Sequence, residues 1–273
     1  MDRPQVVTAE RSPLIEAMLK AALAAGEGLQ RDFANIAQLQ IRHKQGLDDM
    51  FTEADLRAEQ TVREILSAHQ PDYGFLGEEG GMTVGADAAN SWIVDPLDGT
   101  TNFLIGLPLF AVNIAMANEG RVIAGVTHVP MLGETFWAER GRGAYLNDVP
   151  IRVSERQEMI EAVLGVGIPF ASKPRHEQFR AEMERLTSRV SGVRRLGAGA
   201  IDMVYVACGR FDAYWEQSVS AWDMAAGIVI VEEAGGKVTG TLGQPVDLFG
   251  GTVLASTPQL HAELIVALAP VDG

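Results

Sequence analysis

The chain has 273 residues, 47% of them hydrophobic and 21% charged, which suffices for one large or two intimate domains around a sizeable core. No apolar run is long enough to cross a bilayer, and the opening Met1-Asp2-Arg3-Pro4-Gln5 lacks the charged-then-apolar layout of a signal peptide. The single cysteine, Cys208, excludes an internal disulfide and fits a reducing cytoplasm, and a net charge of −14 argues against non-specific nucleic-acid binding, which sets Lys and Arg against phosphates. That acidity serves solubility; it also repels a phosphorylated substrate unless a bound metal ion supplies a local positive centre.

Ser12-Pro13 opens a helix, with Ser at the cap and Pro at the first helical position. Ile15, Met18, Leu19, Ala22, Gly26, Leu29 and Phe33 follow at helical spacing and mark its packed face. A polar loop from Lys44 through Asp48 and Asp49 then leads into a second helix carrying Leu56, Val62, Ile65 and Leu66. Thr52-x-x-Asp55 reads as a capping box at its start; Asp55 either caps the helix or also points toward a metal-bound water. Asp48 and Asp49 read as solvated loop residues. Pro71 ends the helix, and Phe75-Leu76-Gly77-Glu78-Glu79 reads as a strand delivering carboxylates at its tip. Alternation along a strand lets only one of Glu78 and Glu79 reach a given centre. Gly85 to Asn90 reads as a linker.

Trp92-Ile93-Val94 reads as the end of a buried strand with Asp95 at its exit, because Pro96 removes a donor and fixes φ. Asp98 follows after a turn that exposes the Leu97 carbonyl. Oxygen ligands of this kind suit Mg²⁺ or Ca²⁺ rather than zinc or copper. Gly99 permits close approach, and the amides of Gly99, Thr100 and Thr101 at a helix start suit an anion such as phosphate. A plain strand-to-helix turn with a capping Asp is the other reading of the bare D-x-x-D-G pattern. Four strand-like runs come next, Phe110–Met116, Val122–His128, Glu134–Ala138 and Ala144–Leu146. Short separators with Gly and Asn make them antiparallel hairpins.

A boundary falls after Pro150, dividing 1–150, with helices and a largely antiparallel sheet, from 151–273, an α/β part. In the second part, 163–170 reads as a strand, 176–189 as a helix, and 193–197 as a strand into Ala198-Gly199-Ala200. Ile201 to Cys208 reads as a helix and Ala213-Tyr214-Trp215-Glu216 as a strand. Asp223 stands at the start of a helix that runs to Gly235-Gly236 and takes the capping role usual for Asp there. Lys237 to Leu254 reads as edge strands and turns, and Leu260 to Leu268 as a closing helix. Cys208, among Val204, Val206 and Ala207, reads as a small buried hydrophobe. The five histidines are scattered with no pair at ligand spacing.

Taken together, the string W-I-V-D-P-L-D-G-T-T-N-F at 92–103, G-E-E at 77–79, T-x-x-D at 52–55 and W-D-M-A-A-G at 222–227 resembles the inositol monophosphatase family. The resemblance implies a five-layer αβαβα sandwich of the inositol monophosphatase/fructose bisphosphatase type. It also implies a homodimer and Mg²⁺-dependent, lithium-sensitive hydrolysis of a small phosphorylated polyol or similar phosphate monoester. Carried over by position, Glu78, Asp95 and the Leu97 carbonyl hold a first Mg²⁺. Asp95, Asp98 and Asp223 hold a second, and Asp55 orients waters around a third, weaker ion. Thr100 with Glu78 polarises the attacking water, and Gly99, Thr100 and Thr101 receive the phosphate. Gly199 and Glu216 face the alcohol, Glu216 bonding one of its hydroxyls, and Lys44 matches a lysine of a mobile loop.

Inositol 1-phosphate is the substrate the resemblance favours. Ile168, where some members carry a polar substrate contact, and Gly199 leave the alcohol pocket less defined, so histidinol phosphate and fructose 1,6-bisphosphate stay open. Thr101-Asn102 departs from the D-G-T-K-E-F of relatives that prefer nucleotide 3′-phosphates. Some bacterial relatives act mainly as partners of the transcription machinery, which leaves a regulatory, non-enzymatic reading beside the enzymatic one.

Overall fold

The computed structural model describes residues 10–39, 41–43, 50–169, 171–172 and 174–270. Lys44, Asp48 and Asp49 lie outside the described residues. Helix α1 spans Pro13–Phe33; Ser12 caps it by accepting from Ile15 N at 3.2 Å, and Ile15, Met18, Leu19, Ala22 and Leu29 are buried along one face. Each of the Ile, Met and Leu side chains among them contributes about 1.5–3 kcal/mol of burial. Strands β1 (Ile41–His43) and β2 (Met50–Thr52) form an antiparallel pair that feeds α2 (Glu53–His69).

Strands β3 (Tyr73–Gly77), β4 (Gly81–Thr83), β5 (Asp87–Asp98), β6 (Ala111–Asn118), β7 (Arg121–Val129), β8 (Glu134–Glu139), β9 (Ala144–Leu146) and β10 (Val149–Pro150) form an eight-stranded sheet. Its order is β10-β9-β8-β7-β6-β5-β3-β4, antiparallel throughout except where β3 runs parallel to β5. A short helix, α3 (Thr100–Leu104), follows β5. The expected linker at 85–90 is largely strand: β5 starts at Asp87, and Asn90 pairs with Asn118. Polar side chains satisfy one another at this end of the sheet, Asn118 donating to Asn90 and Asn90 to Asp87 at 2.8 and 2.7 Å.

The second sheet is built from β11 (Val163–Val166), β12 (Gly192–Arg194), β13 (Ala213–Glu216), β14 (Lys237–Thr239) and β15 (Val253–Ser256), in the order β12-β11-β13-β15-β14. Helices α4 (His176–Thr187), α5 (Gly199–Ala207), α6 (Ala221–Glu233) and α7 (His261–Leu268) alternate with these strands. β15 is not the edge strand expected, because it pairs with β13 on one side and β14 on the other. Cys208 is half-buried, packed against the central core.

The side chains sort into three apolar layers. Helices α1 and α2 cover one face of the large sheet through Trp92, Val94, Val112, Ile114 and Val126. The opposite face, with Ile93, Ala115 and Phe136, meets α5 and α6, whose far side packs on Tyr214, Val253 and Ala255 of the small sheet. Leu164, Trp215 and Leu254 on the outer face of that sheet meet Leu186 of α4 and Leu264 and Leu268 of α7. The result is helix, sheet, helix, sheet, helix: the five-layer αβαβα sandwich. No described helix is long and apolar enough to cross a membrane.

Candidate active site

Along β5, Trp92 and Val94 face α1 and α2 while Ile93 faces α5 and α6. Asp95 keeps the phase of Ile93, and a regular strand would turn Asp98 to the opposite face. It does not, because the register slips between them. Asp95 lies opposite Asn113 and Asp98 opposite Ala111, so one extra residue is inserted on β5. The strand therefore does not end at Asp95 with a turn after it, as the sequence suggested. Pro96 sits in a β-bulge, a place where its missing N–H costs nothing, and the bulge brings both carboxylates to the α5–α6 face. Asp95 Oδ1 accepts from Leu97 N at 3.0 Å inside this bulge.

The third carboxylate comes from α6. Asp223 is not a lone cap: Ser220 is the N-cap and Asp223 the third helical residue, accepting from Ser220 N at 2.7 Å. Asn113, fully buried opposite Asp95, donates to the carbonyls of Trp222 and Asp223 at 2.7 and 3.2 Å. Its own Oδ1 accepts from Thr127 Oγ1 at 2.6 Å. This network pins the start of α6 to β6, and Asp95, Asp98 and Asp223 each place an oxygen within 4.8 Å of the other two. Asn113 was not singled out from the sequence; a lone Asn within the apolar run 110–116 is its only mark there.

Helix α5 begins at Gly199, two residues before the start read from the sequence, and these residues hold Asp98. Ala200 N donates to Asp98 Oδ2 at 2.8 Å, and the Gly199 amide bonds the same carboxyl. The positive end of the helix thus faces a carboxylate. A Cβ on Gly99, whose φ is +91°, would also lie 3.0 Å from the Leu109 carbonyl and 3.1 Å from the Ala198 methyl, so glycine is required at this close approach.

Asp55 arrives from the other face of the sheet. Thr52 N and Thr52 Oγ1 both donate to Asp55 Oδ2 at 2.8 Å, completing the expected capping box. Thr100 Oγ1 lies 3.2 Å from Asp55 Oδ1 and 3.0 Å from the Leu97 carbonyl, so its proton is directed between them. Glu78 follows the end of β3 with its amide on Val94 O at 3.1 Å, and its side chain hydrogen-bonds Asp95. Glu78 and Glu79 both lie in the turn after β3, so strand alternation does not choose between them.

Burial pushes the carboxyls of Asp95 and Asp223 well above the usual range. The charges of Glu78, Asp98 and Asp223 add to the effect on Asp95, and those of Asp98 and Glu78 to that on Asp223. Asp98 is pushed up to about 7 by burial, against the bond from Ala200 N, with Glu216 and Glu78 adding. Asp55 is raised to about 6 by burial, against the Thr52 bonds, with Glu78 adding. Among the described residues no lysine or arginine pairs with Asp95, Asp98 or Asp223. Crowded carboxylates of one sign without a cationic side chain fit a hard divalent ion.

The comparisons with known proteins agree with this geometry. The model of the "Inositol monophosphatase family" matches residues 10–271. The chain belongs to the inositol monophosphatase family. It is 47% identical to an inositol-1-monophosphatase of Caulobacter vibrioides over 92% of this chain and 99% of that one. It is 39% identical to a Nus factor SuhB of Pseudomonas aeruginosa over 94% and 96% of the two chains. The crystal structure of the extragenic suppressor protein SuhB from Bartonella henselae superposes with a TM-score of 0.92 at 41% identity, covering 96% of this chain and 100% of that one. The family is one of metal-dependent phosphatases, which the acidic cluster suits.

Beyond the carboxylates, Glu216 stands half-buried at the end of β13, and Tyr214 Oη donates to its Oε2. A Cβ on Gly167 would fall 2.1 Å from the Glu216 carboxyl, and one on Gly199 would fall 2.8 Å from Tyr214 Oη and 3.5 Å from Glu216 Oε2. Both glycines therefore make room for Glu216 and its partner. Ile168, next in the chain, is 40% exposed. Asp202 on α5 is buried with Oδ1 unpartnered; burial, and then the charges of Asp98 and Glu216, push its carboxyl well up. Thr100, Thr101, Gly99, Gly199, Glu216, Glu78 and Asp223 are all half-buried, above the deeper Asp55, Asp95 and Asp98.

Proposed function

We propose that this protein is a Mg²⁺-dependent phosphate-monoester hydrolase acting on inositol 1-phosphate or a closely similar phosphorylated polyol. The observation that carries the reading is the set Asp95, Asp98 and Asp223, with oxygens within 4.8 Å of one another and no cationic side chain paired with them among the described residues. Glu78, Asp95 and the Leu97 carbonyl would hold one ion, Asp95, Asp98 and Asp223 a second, and Asp55 would act on the waters of a third. Bound Mg²⁺ supplies charge neutralisation, an activated water and stabilisation of the leaving alkoxide.

The chain's own groups do the rest. The Thr100 hydroxyl, with its proton directed at Asp55 Oδ1 and the Leu97 carbonyl, keeps lone pairs to orient an attacking water. Glu78, whose side chain hydrogen-bonds Asp95, polarises that water together with Thr100. The amides of Gly99, Thr100 and Thr101 precede the first backbone bond of α3, Phe103 N to Gly99 O at 3.0 Å, and receive the phosphate oxygens. Glu216, steadied by Tyr214, accepts a hydroxyl of the departing alcohol.

Phosphate release from inositol 1-phosphate, histidinol phosphate, fructose 1,6-bisphosphate and 3′-phosphoadenosine 5′-phosphate, each with and without Mg²⁺ and lithium, tests this directly. Fastest turnover of inositol 1-phosphate, abolished in Asp95→Asn, is expected. Preference for histidinol phosphate or fructose bisphosphate would move the substrate assignment while keeping the metal core, and release independent of Mg²⁺ would refute the mechanism. The relatives named Nus factor SuhB favour a second reading, a regulatory partner of the transcription machinery. That role predicts that Asp95→Asn keeps its biological function and a stable complex in pull-down.

A further inference from the structure

Two amides beyond Glu78, the chain is gripped by a carboxylate from another element. Glu59 of α2 is 6% exposed, and its two oxygens are divided between two backbone donors. Glu79 N donates to Oε2 at 2.9 Å, and Gly80 N donates to Oε1 at 2.9 Å. The carboxylate lies flat against the turn. A Cβ on Gly77 would sit 2.3 Å from Oε2 and one on Gly80 2.6 Å from Oε1. Arg63, one helical turn on, lies 3.6 Å from Glu59 Oε1 and stacks 3.9 Å above the Phe75 ring, so the buried charge is balanced. The Glu78 amide is meanwhile bound to Val94 O of β5. Three successive amides, those of Glu78, Glu79 and Gly80, are thus fixed by two neighbouring elements.

Asp55 and Glu59 are a helical turn apart and share one face of α2. That face therefore touches the site twice, through Asp55 to Thr100 and through Glu59 to the Glu78 turn. We propose that Glu59 is the positioning residue that presents Glu78 to the metal centre, and that α2 holds Glu78 and Asp55 in fixed relation through it. The inference rests on the metal reading given above. Groups behind metal ligands set ligand orientation, and losing one typically costs 10–100-fold in metal affinity or activity.

The experiment is Mg²⁺ and Mn²⁺ binding by calorimetry to the metal-free full chain, with phosphate release measured alongside. In Glu59→Gln the amide NH₂ must face one of the two backbone donors, so one bond is lost. The expected result is roughly 10–100-fold weaker ion binding, a matching rise in the Mg²⁺ needed for half-maximal activity, and little change in substrate KM at saturating Mg²⁺. Gly80→Ala, which pushes on Glu59 Oε1 from the far side without altering charge, is expected to weaken binding in the same direction. Folded variants that melt earlier yet bind the ion as the unmutated protein does would overturn the proposal and leave Glu59 a turn stabiliser. Hydrogen exchange on the unmutated protein needs no variant to fold. The amides of Glu79 and Gly80 are expected to be protected, more so with Mg²⁺, and exchange at open-loop rates in both states would overturn the proposal. An unmutated protein that binds no Mg²⁺ would overturn the metal reading and this proposal together, whereas binding left intact by Glu59→Gln overturns this one alone.

Discussion

Two helix starts on opposite faces of the large sheet use the same device to different ends. At α2, Thr52-x-x-Asp55 closes a capping box; at α6, Ser220-x-x-Asp223 does the same. In both, the third helical residue is an aspartate whose Oδ2 accepts the N-cap amide, at 2.8 and 2.7 Å. The second oxygen separates them. Asp55 Oδ1 receives the Thr100 hydroxyl and the residue is 1% exposed, whereas Asp223 keeps an oxygen within reach of Asp95 and Asp98 and stays partly open to solvent. A carboxylate committed on both oxygens acts through its hydrogen bonds, and one committed on a single oxygen remains a ligand. On the metal reading proposed above, one local motif would yield a water-orienting residue at α2 and an ion-binding residue at α6.

Asp223→Asn is the sharpest way to break that contrast. Asn keeps an oxygen for the Ser220 amide but removes the ligand charge, so several kcal/mol of charge stabilisation are lost and turnover falls about 10³-fold or more. Mg²⁺ binding measured by calorimetry falls with it, while the melting point of the metal-free protein holds or rises. Asp55→Asn is expected to cost roughly 10–100-fold in turnover with the calorimetric Mg²⁺ constant for the main sites little changed. Equal loss of ion binding in the two variants would remove the distinction.

Acidity gives a smaller, graded effect. Asp98 rises to about 7 and Asp55 to about 6 in the folded metal-free protein, above the 3.8 ordinary for an aspartate. Between 3.8 and those values the folded state holds protons that the unfolded state has released, so stability falls as pH rises through that window. The metal-free protein is therefore expected to melt higher at pH 6 than at pH 8. Mg²⁺ must displace the same protons, so its affinity should weaken as pH drops below about 7, up to about tenfold per unit for each proton displaced. Melting scans with and without Mg²⁺ across this range should show opposite slopes. The smallest effect separates the caps themselves. Thr52→Ala removes a hydroxyl bonded to both Asp55 and Ala54 N and should cost about 2 kcal/mol, against about 0.5 for Ser220→Ala, whose bond to Asp223 comes from the backbone. Urea unfolding in chelator reads both.

What could be read in the sequence was whatever is local. The Ser12-Pro13 cap, the Thr52–Asp55 box, the hairpins between 110 and 146 and the Gly99 turn follow from neighbouring residues, and the family motifs at 92–103 and 222–227 tie distant carboxylates together. What escaped depends on contacts far apart in the chain. The clamp of Glu59 on the Glu78 turn, the Asn113 bonds to α6, and the start of α5 at Gly199 against Asp98 carry no local signal. Ser220 carries no mark of its own in the sequence, because its box with Asp223 exists only once the helix boundary is known.

The bulge at Pro96 sets the site by counting rather than by chemistry. Deleting that single residue would leave Asp95 and Asp98 two places apart in a regular strand, still on one face, but would take away the bulge in which Asp95 Oδ1 accepts from Leu97 N and the Leu97 carbonyl meets Thr100 Oγ1. The extra place therefore serves the Leu97 carbonyl and the Thr100 hydroxyl that meets it, more than the direction in which Asp98 faces.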